Sequence, residues 1–190
     1  FFGKTGVVAF DMDGNQLWDT SVGTESGQMN WGTASSLLLY KELVIVPATD
    51  ESEALVALDK RTGAEVWRKE AQGFGGTWGT PILVQTEQRA ELVFAVPSEI
   101  WAFNPEDGSF LWYVEAVPSD YVTASAVAAD GVVYYVGGRP PGAVAVRVGG
   151  EGNVTEVVTA VARAELALQT TVAIRDRVIQ AYQDVMRMPI

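Results

Sequence analysis

Chemistry in this chain has to be built from carboxylates, amides, hydroxyls and aromatic rings, because its 190 residues include no histidine and no cysteine. The commonest general base, the commonest neutral metal ligand and the thiolate nucleophile are thereby excluded, along with disulfides and zinc–thiolate sites. No serine stands in a nucleophile-elbow pattern, and no GxxxxGK[ST] phosphate cradle is present. The run Asp11-Met12-Asp13-Gly14-Asn15 opens like a calcium-binding loop, but Val22 holds the twelfth position, where such a loop needs a bidentate glutamate. A plain strand–turn–strand is the expectation there, with no catalytic, cofactor-binding or metal residues anywhere in the chain. Three aromatics remain: Trp31, Trp78 and Tyr121 each stand two residues before a threonine, Thr33, Thr80 or Thr123. On a loop face they would form a recognition collar; between packed elements they would be structural.

The elements that position these residues are set by a repeat. AFDMDGNQLW from Ala9, ALDKRTGAEVW from Ala57 and AFNPEDGSFLW from Ala102 each run from alanine through an acidic or amide residue to a glycine, with tryptophan four residues later. The pairs are Gly14/Trp18, Gly63/Trp67 and Gly108/Trp112, and the tryptophans lie 49 and 45 residues apart. The threonines Thr33, Thr80, Thr123 and Thr170 mark the same period, each opening two short β-rich runs around a polar turn. A period in this range belongs to repeat architectures and to β-propeller blades in particular. Each period reads as four antiparallel strands, A and B after the threonine and C and D on either side of the glycine turn, where a positive φ is required.

Strand C alternates: Val56 and Leu58 share one face, Ala57 and Asp59 the other, as suits a sheet sandwiched between neighbouring sheets. Trp18, Trp67 and Trp112 fall in strand D, and they are expected to be structural staples between blades, with their N–H groups satisfied by backbone. Trp101 is expected to fill core at the start of a strand C, and Arg139-Pro140-Pro141-Gly142 to form a stiff B–C loop. The boundaries that follow are a half-blade at 1–23, blades at about 33–73, 80–118 and 123–160, and a closing half-blade at 170–190. The two half-blades add up to one blade. They can meet within one chain as a four-bladed ring, or between two chains as an eight-bladed homodimer, either of which removes an unpaired sheet edge.

The pattern A-x-D-x-x-T-G-x-x-x-W, met by Ala57, Asp59, Thr62, Gly63 and Trp67, resembles the tryptophan-docking repeat of the pyrroloquinoline-quinone (PQQ)-like β-propellers. That superfamily includes quinoprotein dehydrogenases and BamB-like assembly lipoproteins. Ala9 to Trp18 is one residue shorter, and Ala102 to Trp112 carries Asn104 and Asp107 in place of Asp and Thr. AVRVGGEGNVTE from Ala145 has lost the tryptophan. The resemblance implies an all-β, PQQ-like propeller that works outside the cytoplasm, in the periplasm, and it favours the larger ring. For the dehydrogenases it also implies an adjacent-cysteine disulfide or an equivalent stack over PQQ, a carboxylate base and calcium ligands. The cysteine pair is missing and no residue here matches the base or the ligands, so the resemblance carries only the fold.

Composition narrows the partners. Thirteen basic against 24 acidic residues give a net charge of −11 with no basic cluster, which disfavours nucleic acid and anionic membrane surfaces. No apolar run reaches the length of a bilayer span. A start at Phe1 with no leader reads as a mature, processed or partial chain. The reading that results is a non-catalytic propeller scaffold that binds a protein or peptide. The alternatives are part of a PQQ- and calcium-dependent dehydrogenase, or an extracytoplasmic sensor domain of a signalling protein.

Overall fold

The computed structural model describes residues 1–27, 29–138, 141–149 and 157–158. Strands β1 (Val7–Phe10) and β2 (Gln16–Thr20) form a two-stranded antiparallel sheet. Three four-stranded antiparallel meanders follow. The first holds β3 (Leu38–Tyr40), β4 (Leu43–Ala48), β5 (Ala54–Asp59) and β6 (Glu65–Glu70). The second holds β7 (Ile82–Gln85), β8 (Ala90–Val96), β9 (Glu99–Phe103) and β10 (Phe110–Glu115). The third holds β11 (Val127–Ala129), β12 (Val132–Gly137), β13 (Gly142–Arg147) and β14 (Val157–Val158). A one-turn helix, α1 (Thr49–Ser52), joins β4 to β5.

Period-two alternation distributes each inner strand over two cores. Val44, Val46, Val56 and Leu58 face the β1–β2 sheet with Val7 and Val22, whereas Ile45, Leu55 and Ala57 face the next meander with Leu92, Phe94 and Phe103. The opposite faces of β8 and β9, through Val93, Ala95, Ile100 and Ala102, pack on Val133, Tyr135, Val144 and Val146. Sheets therefore stack face to face along the chain, which is the blade arrangement of a propeller. Each fully buried aliphatic side chain contributes roughly 1.5–3 kcal/mol, and together they fix which face of each strand is inward.

The repeated acidic or amide residue shapes the C–D turn. Asp59 Oδ1 accepts from the N–H groups of Arg61 and Thr62, both at 2.9 Å, and from the Thr62 hydroxyl at 3.0 Å. Asp11 does the same for Asp13 and Asn15, and Asn104 for Glu106. These are Asx turns; the Asn15 side-chain amide and then the turn N–H groups hold the Asp11 carboxyl below its ordinary range, and the Thr62 and Arg61 N–H groups do so for Asp59. The Asp11 carboxylate is thus engaged by its own turn, in keeping with a strand–turn–strand.

Two details differ from the sequence reading. The A strands begin at Leu38, Ile82 and Val127, 44 and 45 residues apart, whereas the marker threonines are 47 and 43 apart. The loops before the A strands differ in length, so the threonines are not equivalent positions. Trp112 also departs from the expectation of a backbone partner, since its Nε1 donates to the Glu91 carboxylate at 2.7 Å. Glu91 is 2% exposed and also accepts from Arg89 Nε at 3.1 Å. Trp101 packs on Phe74, Phe103 and Phe110 at the edge of the middle core. Arg139, Pro140 and the closing half-blade at 170–190 lie outside the described residues, and among the described residues the ring is not closed.

Candidate functional site

The loops that lead into the A strands lie side by side on one face of the stacked sheets. Ser36 N–H donates to Thr80 Oγ1 at 2.9 Å, and Thr80 N–H to Ser125 Oγ at 2.8 Å, so successive loops are tied through one hydroxyl each. Trp78 N–H donates to Val122 O at 2.7 Å and Val122 N–H to Gly76 O at 2.9 Å, a parallel bridge between two loops. This ladder brings Trp31, Trp78 and Tyr121 into one row although they precede their strands by seven, four and six residues. The ring centroids of Trp31 and Trp78 are 5.1 Å apart and those of Trp78 and Tyr121 are 5.9 Å apart. Trp78 is buried in the middle, while Trp31 is 67% and Tyr121 41% exposed. The row is therefore half open, with Trp78 buried between two exposed rings.

Two carboxylates missed by the sequence reading lie under this row. The α1 helix folds Asp50 and Glu51 inward, where they are 3% and 1% exposed. Trp78 Nε1 donates to Gly32 O at 2.9 Å and to Asp50 Oδ2 at 3.2 Å. Among the described residues, Asp50 Oδ1, Glu51 Oε2 and the Thr77 hydroxyl have no hydrogen-bond partner. Burial pushes the Asp50 carboxyl up, partly opposed by the Trp78 bond. Burial also pushes Glu51 up, with the neighbouring Asp50 charge adding to it and Lys4 opposing it. A signal was present in the sequence: Val96 and Glu99 are joined by Pro97-Ser98 alone, whereas the corresponding connection after Ala48 holds five residues, three of them acidic.

A cavity of about 400 Å³ opens between the loops, lined among others by Glu25, Asp50, Glu53, Trp78, Asp120 and Tyr121. A second opening, with Trp31, Ser119 and Tyr121 in its wall, adjoins it. Among the described residues no lysine or arginine lines the first cavity. Among the described residues no group of three or more acidic, histidine or cysteine side chains converges as a metal site.

The docking tryptophans do something else. Trp18 Nε1 donates to Lys60 O at 3.1 Å and Trp67 Nε1 to Pro105 O at 3.2 Å, so each indole reaches the C–D turn of the following blade. Each of these two hydrogen bonds links one sheet to the next.

Comparison with known proteins divides the chain. By structure it is similar to BamB from Moraxella catarrhalis, at 15% sequence identity and TM-score 0.51, over 76% of this chain and 40% of that one. It is similar to the quinohemoprotein alcohol dehydrogenase from Comamonas testosteroni at 18% identity and TM-score 0.51, over 75% of this chain and 27% of that one. Residues 142–190 match the family of the flagellar hook-basal body complex protein FliE. Within that similarity, 41 residues are 58% identical to FliE 1 of Bradyrhizobium diazoefficiens, 22% of this chain and 40% of the relative, and 51% identical to FliE of Brucella ovis. The chain spans about two fifths of the length of these FliE relatives. Its fold is that of a β-propeller built of four-stranded antiparallel blades.

Proposed function

We propose that this PQQ-like propeller segment is a non-catalytic binding platform that engages a protein or peptide through the loop face built around Trp31, Trp78 and Tyr121. The observation that carries the reading is the half-open aromatic row beside a cavity on the face where the loops converge. In this reading the chain works outside the cytoplasm, as the resemblance implies. A quinone role is the weaker reading. PQQ is a tricarboxylate, and among the described residues the cavity offers four carboxylates and no basic side chain to receive it. Neither a stacking cysteine pair nor a three-ligand calcium cluster is found among the described residues.

Selection of displayed random peptides on the purified chain tests the platform. Enrichment on the native protein should vanish on the Trp31→Ala/Tyr121→Ala double variant; equal enrichment on both would remove the reading. Dye-linked alcohol oxidation with added PQQ and Ca²⁺ tests the alternative, and turnover would favour the enzyme.

A second reading is favoured by the C-terminal match. Residues 142–190 would be a FliE-like segment joined to the propeller, giving the chain a place at a flagellar basal body. Val144 and Val146 also sit in the propeller core, so the first residues of the match serve the sheet as well. Co-sedimentation of the full chain with purified hook–basal bodies is the expected result of this reading, and its absence would remove it.

A further inference from the structure

We infer that the loop-face cavity receives an organic cation, the ammonium or guanidinium end of a side chain, with Asp50 as its counter-charge and Trp78 and Tyr121 as its walls. The inference rests on the binding-platform reading and names the chemistry of its ligand.

The floor of the cavity carries the strongest signal. Asp50 is 3% exposed, yet among the described residues Oδ1 has no donor and Oδ2 has one neutral indole N–H at 3.2 Å. A buried carboxylate left without a cation is costly, and it either protonates or acquires a partner. Gly27 lines the same cavity beside this oxygen, and a Cβ there would lie 2.6 Å from Oδ1. Gly27 therefore lies close against this carboxylate, where a larger residue would have to displace it.

The walls and rim agree in sign. Glu25, Glu53 and Asp120 stand exposed around the opening, and among the described residues the lining contains no lysine or arginine. A cation approaching this mouth is attracted throughout, and an anion is repelled. Trp78 and Tyr121, with ring centroids 5.9 Å apart, both line the same cavity, where a partly desolvated cation gains cation–π stabilisation from a ring that it reaches. A volume of about 400 Å³ is at the lower end for small-molecule sites and admits one extended side chain.

The test uses the full chain and two probes, N-acetyl-arginine methylamide and its neutral isostere N-acetyl-citrulline methylamide, followed by titration calorimetry and tryptophan fluorescence. Saturable binding of the arginine probe with none of the citrulline probe is expected. Asp50→Asn should weaken binding about tenfold or more, the loss expected when a charge-assisted pair becomes neutral. Tyr121→Ala should weaken it several-fold through the lost ring face. The exposed double variant Glu53→Gln/Asp120→Asn should weaken binding and flatten its salt dependence. It decides the matter should Asp50→Asn fail to fold. Equal binding of both probes, or arginine binding unchanged by these substitutions, would overturn the inference. Absence of arginine binding alongside aromatic-dependent peptide enrichment would overturn it while leaving the platform intact. Loss of that enrichment as well would sink both.

Discussion

Trp67 lies against Gly108. A Cβ added to Gly108 would sit 2.7 Å from Trp67 Cε3, and the same indole donates to Pro105 O in the β9–β10 turn of the next blade. Trp18 and Gly63 repeat the relationship one blade earlier, with a Cβ–Cε3 approach of 2.5 Å. The repeated glycine therefore answers two demands at once: a left-handed backbone, with φ of +70° at Gly108 and +72° at Gly63, and room for the indole of the preceding blade.

The two demands can be separated by substitution. Gly14 shares the left-handed backbone, at φ +86°, but a Cβ there meets nothing within 4 Å. Gly14→Ala should cost only the backbone term, about 1–2 kcal/mol. Gly63→Ala and Gly108→Ala should each cost more, about 2–4 kcal/mol, because the indole must also be displaced. Denaturant melting of the three variants checks the order, and equal losses would remove the docking role of the glycine.

Trp112 ends this series differently. Its indole N–H serves the buried Glu91 carboxylate, where the two earlier indoles serve a backbone carbonyl. Trp112→Phe keeps most of the packing and removes the donor, so it should cost about 1–3 kcal/mol, the range for losing a hydrogen bond to a buried charge. Adding Glu91→Gln should recover part of that loss. Strict additivity of the two substitutions would mean that they do not interact.

Much of this was legible in the sequence because the repeat registers backbone requirements. Asp11, Asp59 and Asn104 are Asx-turn acceptors, the glycines need positive φ, and period two in Val44 to Val46 and Leu55 to Leu58 assigns both faces of the strands. The aromatic row was legible as composition but not as geometry. Trp31, Trp78 and Tyr121 come together through inter-loop hydrogen bonds between residues about 45 apart, which no local pattern encodes. Asp50 and Glu51 were hidden because an acidic pair in a short connection reads as a solvated turn. Their burial depends on the loops from the flanking blades closing over α1.

Those two carboxyls give stability a distinct pH dependence. Burial raises both above their ordinary values, so the folded chain holds protons that the unfolded chain releases. Their contribution is fully present below the ordinary carboxyl range and is lost as pH rises from there through the raised folded values. Around them stand Glu25, Glu53 and Asp120 at the cavity and Lys4, whose charge opposes the rise at Glu51. The exposed turn carboxyls Asp11 and Asp59 act in the opposite direction, since their depressed values favour the fold above the ordinary range. Asp50→Asn removes one term of the first kind. Its melting temperature relative to the native chain should increase as pH is raised from about 4 to 7, starting near the ordinary carboxylate value. A difference that is flat or falls with pH would contradict the buried, unpaired state of Asp50.

The sheets at the two ends of the described stack each leave an apolar face uncovered, and this bears on how the ring closes. On β1 and β2, Phe10 and Leu17 are 53% and 61% exposed, on the side opposite to Ala9 and Trp18. On β11 and β12, Val127, its cross-strand partner Tyr134, and Val136 are 62%, 43% and 54% exposed, while Val133 and Tyr135 on the other face are buried. Every inner sheet is covered on both faces, so these surfaces are expected to be covered too. Closure between two chains would set each face against its counterpart in a second copy and yield twice the mass of the single chain. Closure within one chain would set them against each other and yield a monomer. Light scattering at micromolar concentration should give the dimer mass, and Tyr134→Lys/Val136→Lys should convert it to a monomer by placing charge on one of the two faces. A monomeric native chain, with cross-links joining the β1–β2 sheet to the β11–β12 face inside one molecule, would exclude the dimer.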